Sequence, residues 1–214
     1  MRVSKEQAAQ NRQKILNAAG RLFRERGISA TGVDAITEDA GLTHGAVYSQ
    51  FGSKEAIAAE AIREALVGSK RLWRRLVERE GQRKALSAIV AAYLSPEHRD
   101  SAGRGCVVAA LGSEIARQPD TVRDAFTEEL KDAIEFLAGL MPGDDPSRSY
   151  DDAIVAFASM AGALILARAV SDQGLSNRIL KTTARRVVHP AKSGSLSVPP
   201  GRPSIRTKPS HPAE

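Results

Sequence analysis

The sequence predicts an all-α protein, and three observations support this fold class. Aromatic residues make up only 4 % of the 214 residues, and β-branched clusters are sparse while Ala, Leu, Arg and Glu are plentiful, as in helical proteins. Apolar residues recur at helical spacing along most of the chain. The segments between them carry Gly and Pro, which end helices.

The apolar pattern divides the chain into an N-terminal three-helix domain, a long connecting helix and a C-terminal helical bundle. In the bundle we expect helices at about 83–94, 106–117, 121–140, 150–170 and 176–188. The predicted parts are a flexible basic arm at 1–9, the first domain at 10–54, the connecting helix at 53–80, the bundle at 81–188 and a disordered Pro- and Ser-rich basic tail at 189–214.

Two short helical patterns meet at Gly41 in the first domain. Val33, Ile36 and Ala40 mark one face of the first helix, and Gly41 follows at the position where a left-handed cap favours glycine. Thr43 offers an N-cap hydroxyl for a second helix that buries Val47 and Phe51. A helix, a Gly-containing turn and a short helix form the helix-turn-helix pattern, whose second helix enters the DNA major groove.

Residues 41–56 resemble the signature of the tetracycline-repressor (TetR) family of bacterial transcriptional regulators. The matching positions are Gly45, Tyr48, Phe51, Ser53 and Lys54. Upstream, residues 15–27 look like the family's first helix and the loop after it. The resemblance covers about residues 10–66, roughly a quarter of the chain.

Residue type and position predict a DNA-contacting surface on the second helix of the motif, and the resemblance supports the role of Tyr48, although the family more often has His or Tyr at the position of Gln50. Gly45 would allow close approach to DNA, and the Tyr48 hydroxyl and Lys54 ammonium would contact phosphates. Thr43 and His44 would reach base edges, and Gln50 would pair with adenine or bond a phosphate. The full set of expected DNA-binding residues is Thr31, Thr43, His44, Gly45, Tyr48, Ser49, Gln50 and Lys54.

Charge and cysteine content are compatible with an intracellular DNA-binding protein. The net charge of +6 is concentrated in residues 1–80 and 189–214, where a polyanion would bind. The single cysteine forms no intrachain disulfide, and no secretory signal is visible, so a cytoplasmic location is expected. The apolar segment 153–170 is expected to be a buried helix rather than a membrane span, because it is rich in Ala and Gly and carries Arg168.

The bundle is expected to bind an unidentified small-molecule effector and, by resemblance, to form a homodimer through its last two helices, 150–188. Candidate cavity residues are Cys106, Phe126, Phe136, Phe157 and Met160. Cys106 begins a helix, and a helix N-terminus lowers the pKa of a thiol, so Cys106 could sense oxidants or electrophiles. The alternative is that Cys106 is a buried apolar residue.

The leading interpretation is a homodimeric regulator of a double-stranded DNA operator, most simply a repressor that an effector releases. An enzyme is disfavoured, since no metal-ligand spacing, P-loop or G-x-S-x-G motif is present, and no cofactor is expected. A sequence-independent architectural DNA binder is the remaining alternative.

Overall fold

The structure is a computed structural model that describes residues 4–143 and 145–189. Across these residues the chain forms ten α-helices and one turn of 3-10 helix, with no strand, which confirms the all-α prediction. The helices are α1 (Lys5–Arg26), α2 (Val33–Ala40), α3 (His44–Phe51), α4 (Lys54–Glu80), α5 (Gln82–Tyr93), α6 (Pro96–Asp100), α7 (Val107–Ile115), α8 (Asp120–Ala138), α9 (Pro146–Ala169) and α10 (Gln173–Val188), and the 3-10 turn is Ala102–Arg104.

The turn between α2 and α3 has the geometry that its residues predict. Gly41 adopts a left-handed conformation with φ 64°. The backbone N–H of Gly41 donates to Glu38 O at 3.1 Å and that of Leu42 to Thr37 O at 3.0 Å, a Schellman motif that satisfies the last carbonyls of α2. The Thr43 hydroxyl then caps α3 by accepting from Ala46 N. These bonds fix the angle between α2 and α3.

Helix α1 begins at Lys5, so the prediction of a flexible arm over residues 1–9 and a helix from Asn11 was wrong for residues 5–9. The Ser4 hydroxyl accepts from Gln7 N at 3.1 Å and caps the helix, which then extends although its first turns carry no apolar stripe. Residues 1–3 of the arm lie outside the described residues, as does the predicted tail beyond His189.

Helix α6 and the 3-10 turn were not predicted. Pro96 lies between the helices predicted at 83–94 and 106–117, and proline ends helices but is also favoured in their first turn. Here Pro96 opens α6, and the Ser95 hydroxyl caps it by accepting from His98 N at 3.1 Å.

The core beneath α1–α4 is shared with the second half of the chain. Ile15, Phe23, Ile36 and Val47 are at most 1 % exposed and form one cluster with residues of α4. The same cluster contains buried residues of α7 and α8, namely Val107, Leu111, Ile115, Val122 and Ala125. The N-terminal domain is therefore packed on α7 and α8 through α1 and α4.

A second apolar core joins the far half of α4 to α5, α8, α9 and α10. Its aromatic rings pack together. The ring centroid of Trp73 lies 6.0 Å from those of Phe136 and Phe157, and the centroids of Tyr93 and Phe157 are 6.3 Å apart. Because α4 contributes to both cores, it connects the helix-turn-helix to the bundle as predicted.

Helix α9 has two apolar faces. Ala153, Met160 and Leu164 are fully buried, whereas Val155 is 64 % and Leu166 57 % exposed. The helix is long and apolar enough to cross a membrane, with a mean hydropathy of 1.6 over 18 residues, 44 % of which are buried against other helices. The prediction of a buried helix thus holds for one face only.

Lys70 belongs to a basic run beside the buried Trp73, 70–75, but its own side chain does not lie on a solvated face. Its side chain is 9 % exposed, and its ammonium donates to Glu129 at 2.9 Å and Asp132 at 2.8 Å on α8. Burial alone would lower the pKa of Lys70, but the hydrogen bonds from Lys70 to Asp132 and Glu129 outweigh it and raise the pKa. The residue joins α4 to α8 in its charged form.

We expect Lys70→Ala to lower the free energy of unfolding by about 2 kcal/mol, because it leaves the mostly buried Glu129 carboxylate without its partner while the exposed Asp132 is rehydrated. Denaturant unfolding measures the change. The matched control is Arg71→Ala, an exposed neighbour 3.6 Å from Glu64, which should change the value by less than about 0.5 kcal/mol. Equal effects of the two substitutions would contradict the assignment.

Candidate functional site

One face of α3 is open to solvent. The exposed residues are His44, Gly45, Tyr48 and Ser49, whereas Val47 and Phe51 are buried as predicted. Tyr48 is 46 % exposed, an unusual position for an aromatic side chain. A Cβ atom at Gly45 would meet no atom within 4 Å, so the packing of the described chain does not itself require glycine there.

The polar residues at the ends of α3 are partly committed to local hydrogen bonds. The Thr43 hydroxyl accepts from Ala46 N at 3.4 Å, and the Ser49 hydroxyl donates to Ala46 O at 3.0 Å. Gln50 is half-buried, and its backbone carbonyl accepts from Arg12 at 3.2 Å. Thr43 and Ser49 lie on the exposed surface, and Gln50 lies at its edge.

His44 has two neighbours that its position in the sequence does not predict. Its Nε2 lies 2.5 Å from the carboxylate of Asp34 on α2, and its ring centroid lies 5.3 Å from that of Tyr48. Asp34 is an ordinary acidic residue in the first turn of α2, and no sequence spacing links it to His44. These contacts hold the imidazole between α2 and Tyr48.

Thr31 does not belong to this surface, and its prediction as a DNA-binding residue was wrong for the described conformation. Its side chain is buried, with 1 % of the residue exposed. The hydroxyl donates to the Gly27 carbonyl at 2.7 Å. The single hydrogen of the Thr31 hydroxyl is therefore used to close the loop between α1 and α2.

Lys54 is tied to the same loop. Ser53 caps α4 as predicted, accepting from Ala56 N at 3.1 Å. The half-buried Lys54 donates to the Ser29 carbonyl at 3.4 Å. The ammonium therefore lies at the junction of the α1–α2 loop and the start of α4.

Glu114 at the end of α7 holds this loop from the other side. Its carboxylate accepts from Ile28 N at 2.9 Å and Ser29 N at 2.6 Å. Burial alone would raise the pKa of Glu114, but the hydrogen bonds from Ser29 and Ile28 outweigh it and lower the pKa. An ionised carboxylate from the second half of the chain thus positions the loop that contacts Lys54.

Arg12 supports the end of α3. Its guanidinium lies 4.3 Å over the Phe51 ring, bonds Gln50 O and pairs with Glu60 on α4. This basic residue of α1 is therefore committed to packing between helices.

A cavity of about 310 Å³ lies between α4, α5, α9 and the segment that runs from α6 to the N-cap of α7. Of the predicted ligand-binding residues, Cys106 and Phe157 line it, together with Tyr93. The other lining residues are Leu66, Ser69, Leu72, Trp73, Ala92, Ser95, Glu97, His98, Ser101, Arg104 and Gly105.

Three of the predicted ligand-binding residues do not line this cavity. Phe126 packs against the core shared by α1–α4, α7 and α8. Phe136 packs on Trp73 and faces a separate shallow pocket beside Gly139. Met160 is fully buried in the second core. Helical spacing placed all three on apolar faces correctly, but it does not reveal which apolar face meets a cavity.

His98 closes one wall of the cavity. Its Nε2 accepts from the backbone N–H of Cys106 at 2.9 Å, so the Nδ1 atom carries the proton and donates to Tyr93 O at 2.6 Å. Burial lowers the pKa of His98, and the nearby Arg168 adds to this effect against the opposing hydrogen bond to Tyr93. The imidazole is neutral in the folded protein near pH 7.

Cys106 forms the N-cap of α7, which matches the expected helix start. The residue is 5 % exposed, and its backbone N–H rather than its thiol bonds His98. Sensing of oxidants or electrophiles by this thiol stays a prediction. No group of three or more His, Cys, Asp or Glu side chains that could hold a metal ion occurs within the described ranges.

Comparison with known proteins identifies the family. Residues 15–61 match the model of bacterial regulatory proteins of the tetR family. The N-terminal domain of this chain is therefore a DNA-binding domain of the TetR family. It is 26 % identical over 172 residues to a helix-turn-helix transcriptional regulator of Mycobacterium tuberculosis, covering 75 % of this chain and 86 % of that one. It is 27 % identical over 164 residues to the regulator LmrA of Bacillus subtilis, covering 73 % and 85 %.

The fold agrees with this assignment. A TetR transcriptional regulator from Legionella pneumophila superimposes with a TM-score of 0.73 at 18 % identity, covering 90 % of this chain and all of that one. The domain match over residues 15–61 and the curated relatives make the chain a transcriptional regulator with a DNA-binding helix-turn-helix rather than an enzyme, and the structural neighbour shares its fold.

Neutral His98 gives a testable pH dependence. Because its folded-state pKa lies below the unfolded value of about 6.5, the unfolded chain gains the proton first as the pH falls. We therefore expect His98 to contribute stability above about pH 6.5 that is progressively lost toward pH 5. Thermal unfolding between pH 7.5 and 5 should show a smaller acid-induced loss for His98→Gln than for the native chain.

The control is the difference in unfolding temperature between the two proteins at pH 7.5. At this pH the imidazole is mostly neutral in both the folded and the unfolded state, so the difference measures the effect of the substitution itself. Parallel pH profiles for the two proteins would show that His98 is not the group responsible.

Proposed function

We propose that this chain is a cytoplasmic, homodimeric repressor that binds a specific DNA operator and is released from it by a small-molecule effector. The single observation that carries the proposal is the exposed face of α3, with Tyr48 46 % exposed beside Gly45 on a short, firmly capped helix. A solvent-exposed tyrosine and an open glycine on the second helix of a helix-turn-helix are explained by contact with DNA.

Within this proposal the residues have different roles. The Tyr48 hydroxyl and the Lys54 ammonium bind phosphates, and Gly45 allows the backbone to approach DNA closely. Thr43, Ser49 and Gln50 lie where they can reach base edges or phosphates. Asp34 occupies the Nε2 atom of His44. His44 would therefore contact DNA through the remaining atoms of its ring.

A second candidate function, sequence-independent DNA packaging, predicts a different experimental outcome. A packaging protein shows steep salt dependence with little preference between sequences. Selection from random duplexes separates the two, since a repressor enriches a motif with two-fold symmetry and half-sites about one helical turn or a multiple apart.

We expect Tyr48→Ala to weaken binding to the selected operator by about tenfold, because one phosphate contact is lost on each recognition helix. Lys54→Ala should weaken binding to all duplexes and reduce the slope of log affinity against log salt by about 1 per lost phosphate contact. Fluorescence anisotropy at several salt concentrations measures both.

The control is Lys84→Ala, since this lysine is exposed on α5 and outside the proposed surface. Substitution of Gln50 should instead change the preferred sequence in a repeated selection. Unchanged operator affinity of the Tyr48→Ala protein would refute the role given to α3.

The exposed face of α9 supports the homodimer. Ile154, Val155, Ile165 and Leu166 are 41–64 % exposed, and the small residues Ser159 and Gly162 lie among them. A hollow of about 620 Å³ runs between this face and α10. A second copy of the same face fills such a surface by close helix packing around a two-fold axis, which agrees with the expected interface at 150–188.

Val155→Glu is expected to convert the protein to a monomer at micromolar concentration, because two buried carboxylates would face each other across the two-fold axis. Sedimentation velocity measures the change. Leu72→Glu is the matched control, since Leu72 is 46 % exposed on α4 and outside this face. A native chain that sediments as a monomer would refute the homodimer.

Effector release is supported by the course of α4. Lys54 begins this helix and Trp73 lines the cavity on the same helix, and its 27 residues extend about 40 Å. A ligand that changes the packing around Trp73 would tilt α4 and alter the spacing between the two recognition helices of a dimer. The effector would then weaken operator binding by at most the ratio of its affinities for the tilted and the untilted arrangement.

A further inference from the structure

The cavity beside Trp73 contains a buried polar group without a partner. Tyr93 is 5 % exposed, and its hydroxyl forms no hydrogen bond with any described residue. Tyr93 lines the cavity together with Phe157 and Cys106. Burial raises the pKa of Tyr93 well above its usual value, and the neighbouring Cys106 thiol contributes to the rise. The hydroxyl is thus a neutral donor.

A buried hydroxyl without an acceptor is destabilising, since its interaction with water is lost and not replaced. None of the nearby polar groups in the described chain accepts from it within hydrogen-bond distance. The neighbouring Cys106 thiol is only a weak acceptor, and His98 has no free acceptor because its ring nitrogens bond Tyr93 O and Cys106 N. The free position beside the Tyr93 hydroxyl is consistent with a ligand acceptor.

The rest of the lining constrains what such a ligand can be. Leu66, Trp73 and Phe157 are apolar and buried. The two charged lining residues, Glu97 and Arg104, are of opposite sign and exposed to solvent, so the lining has no net charge to neutralise an ion. A volume of about 310 Å³ is at the small end for ligand cavities.

We propose that this cavity binds an uncharged, mainly apolar molecule of about one ring that carries a hydrogen-bond acceptor such as a carbonyl oxygen, to which the Tyr93 hydroxyl donates. The proposal rests on the effector-regulated function above and adds the chemistry of the effector. Tyr93 supplies polarity at one point, and the surrounding rings supply apolar contact.

The test uses two probes of the same shape, cyclohexyl methyl ketone and isopropenylcyclohexane, in which a CH₂ group replaces the oxygen. The chain has one tryptophan, which lines the cavity, so Trp73 fluorescence reports occupancy. We expect the ketone to bind the native chain about tenfold more tightly than it binds Tyr93→Phe. The alkene should bind both proteins equally.

Two controls accompany the measurement. Tyr150→Phe removes a half-buried hydroxyl on α9 that does not line the cavity, and it should bind the ketone as the native chain does. Tyr93→Phe should unfold at the same temperature as the native chain or a higher one, because the substitution removes a hydroxyl that has no partner.

Equal affinity of the ketone for the native chain and Tyr93→Phe would overturn the proposal, as would the absence of a Trp73 response to either probe. Operator binding measured in the same samples separates the two levels. Ketone binding that depends on Tyr93 but leaves the operator complex intact supports the cavity chemistry and refutes effector release. If the ketone dissociates the operator complex equally well in the native chain and in Tyr93→Phe, the role of Tyr93 in the cavity is refuted but effector release is not.

Discussion

The apolar core shared by the helix-turn-helix and the bundle constrains the rest of the structure. Ile15, Phe23, Ile36 and Val47 pack in one cluster with Leu111 and Ile115 of α7. Burial of apolar side chains is the main favourable term in folding, so separating the two halves would expose apolar faces of α1 and α4, the helices on which α2 and α3 pack. The position of the recognition helix therefore depends on a core that α7 and α8 complete.

The sequence was most informative where structure is local. Gly41, Thr43 and Ser53 determine the turn and the helix starts through bonds that span three to five residues, and such bonds depend on residue type and spacing alone. The family signature added the exposed positions of Gly45 and Tyr48. For this reason the helix-turn-helix and its outward face were predicted almost completely.

The features that were missed depend on contacts between distant parts of the chain. Thr31 has the residue type of a DNA contact, but the path of the α1–α2 loop turns its hydroxyl inward to Gly27. Lys70 belongs to a basic run in the sequence, and only the docking of α8 supplies its two carboxylate partners. Likewise, Phe126, Phe136 and Met160 all lie on apolar faces, and only the packing of whole helices leaves a cavity beside some apolar residues and not beside others.

Helix α7 begins and ends at the two regions that a regulator has to connect. Its first turn is bonded to His98 at the cavity wall through Cys106 N, and near its last turn Glu114 holds Ile28 and Ser29 beside Lys54. A helix of nine residues is about 13 Å long and resists compression because each turn is closed by hydrogen bonds. Within the proposed function, a ligand-induced displacement at the cavity end of α7 is therefore expected to reach the α1–α2 loop.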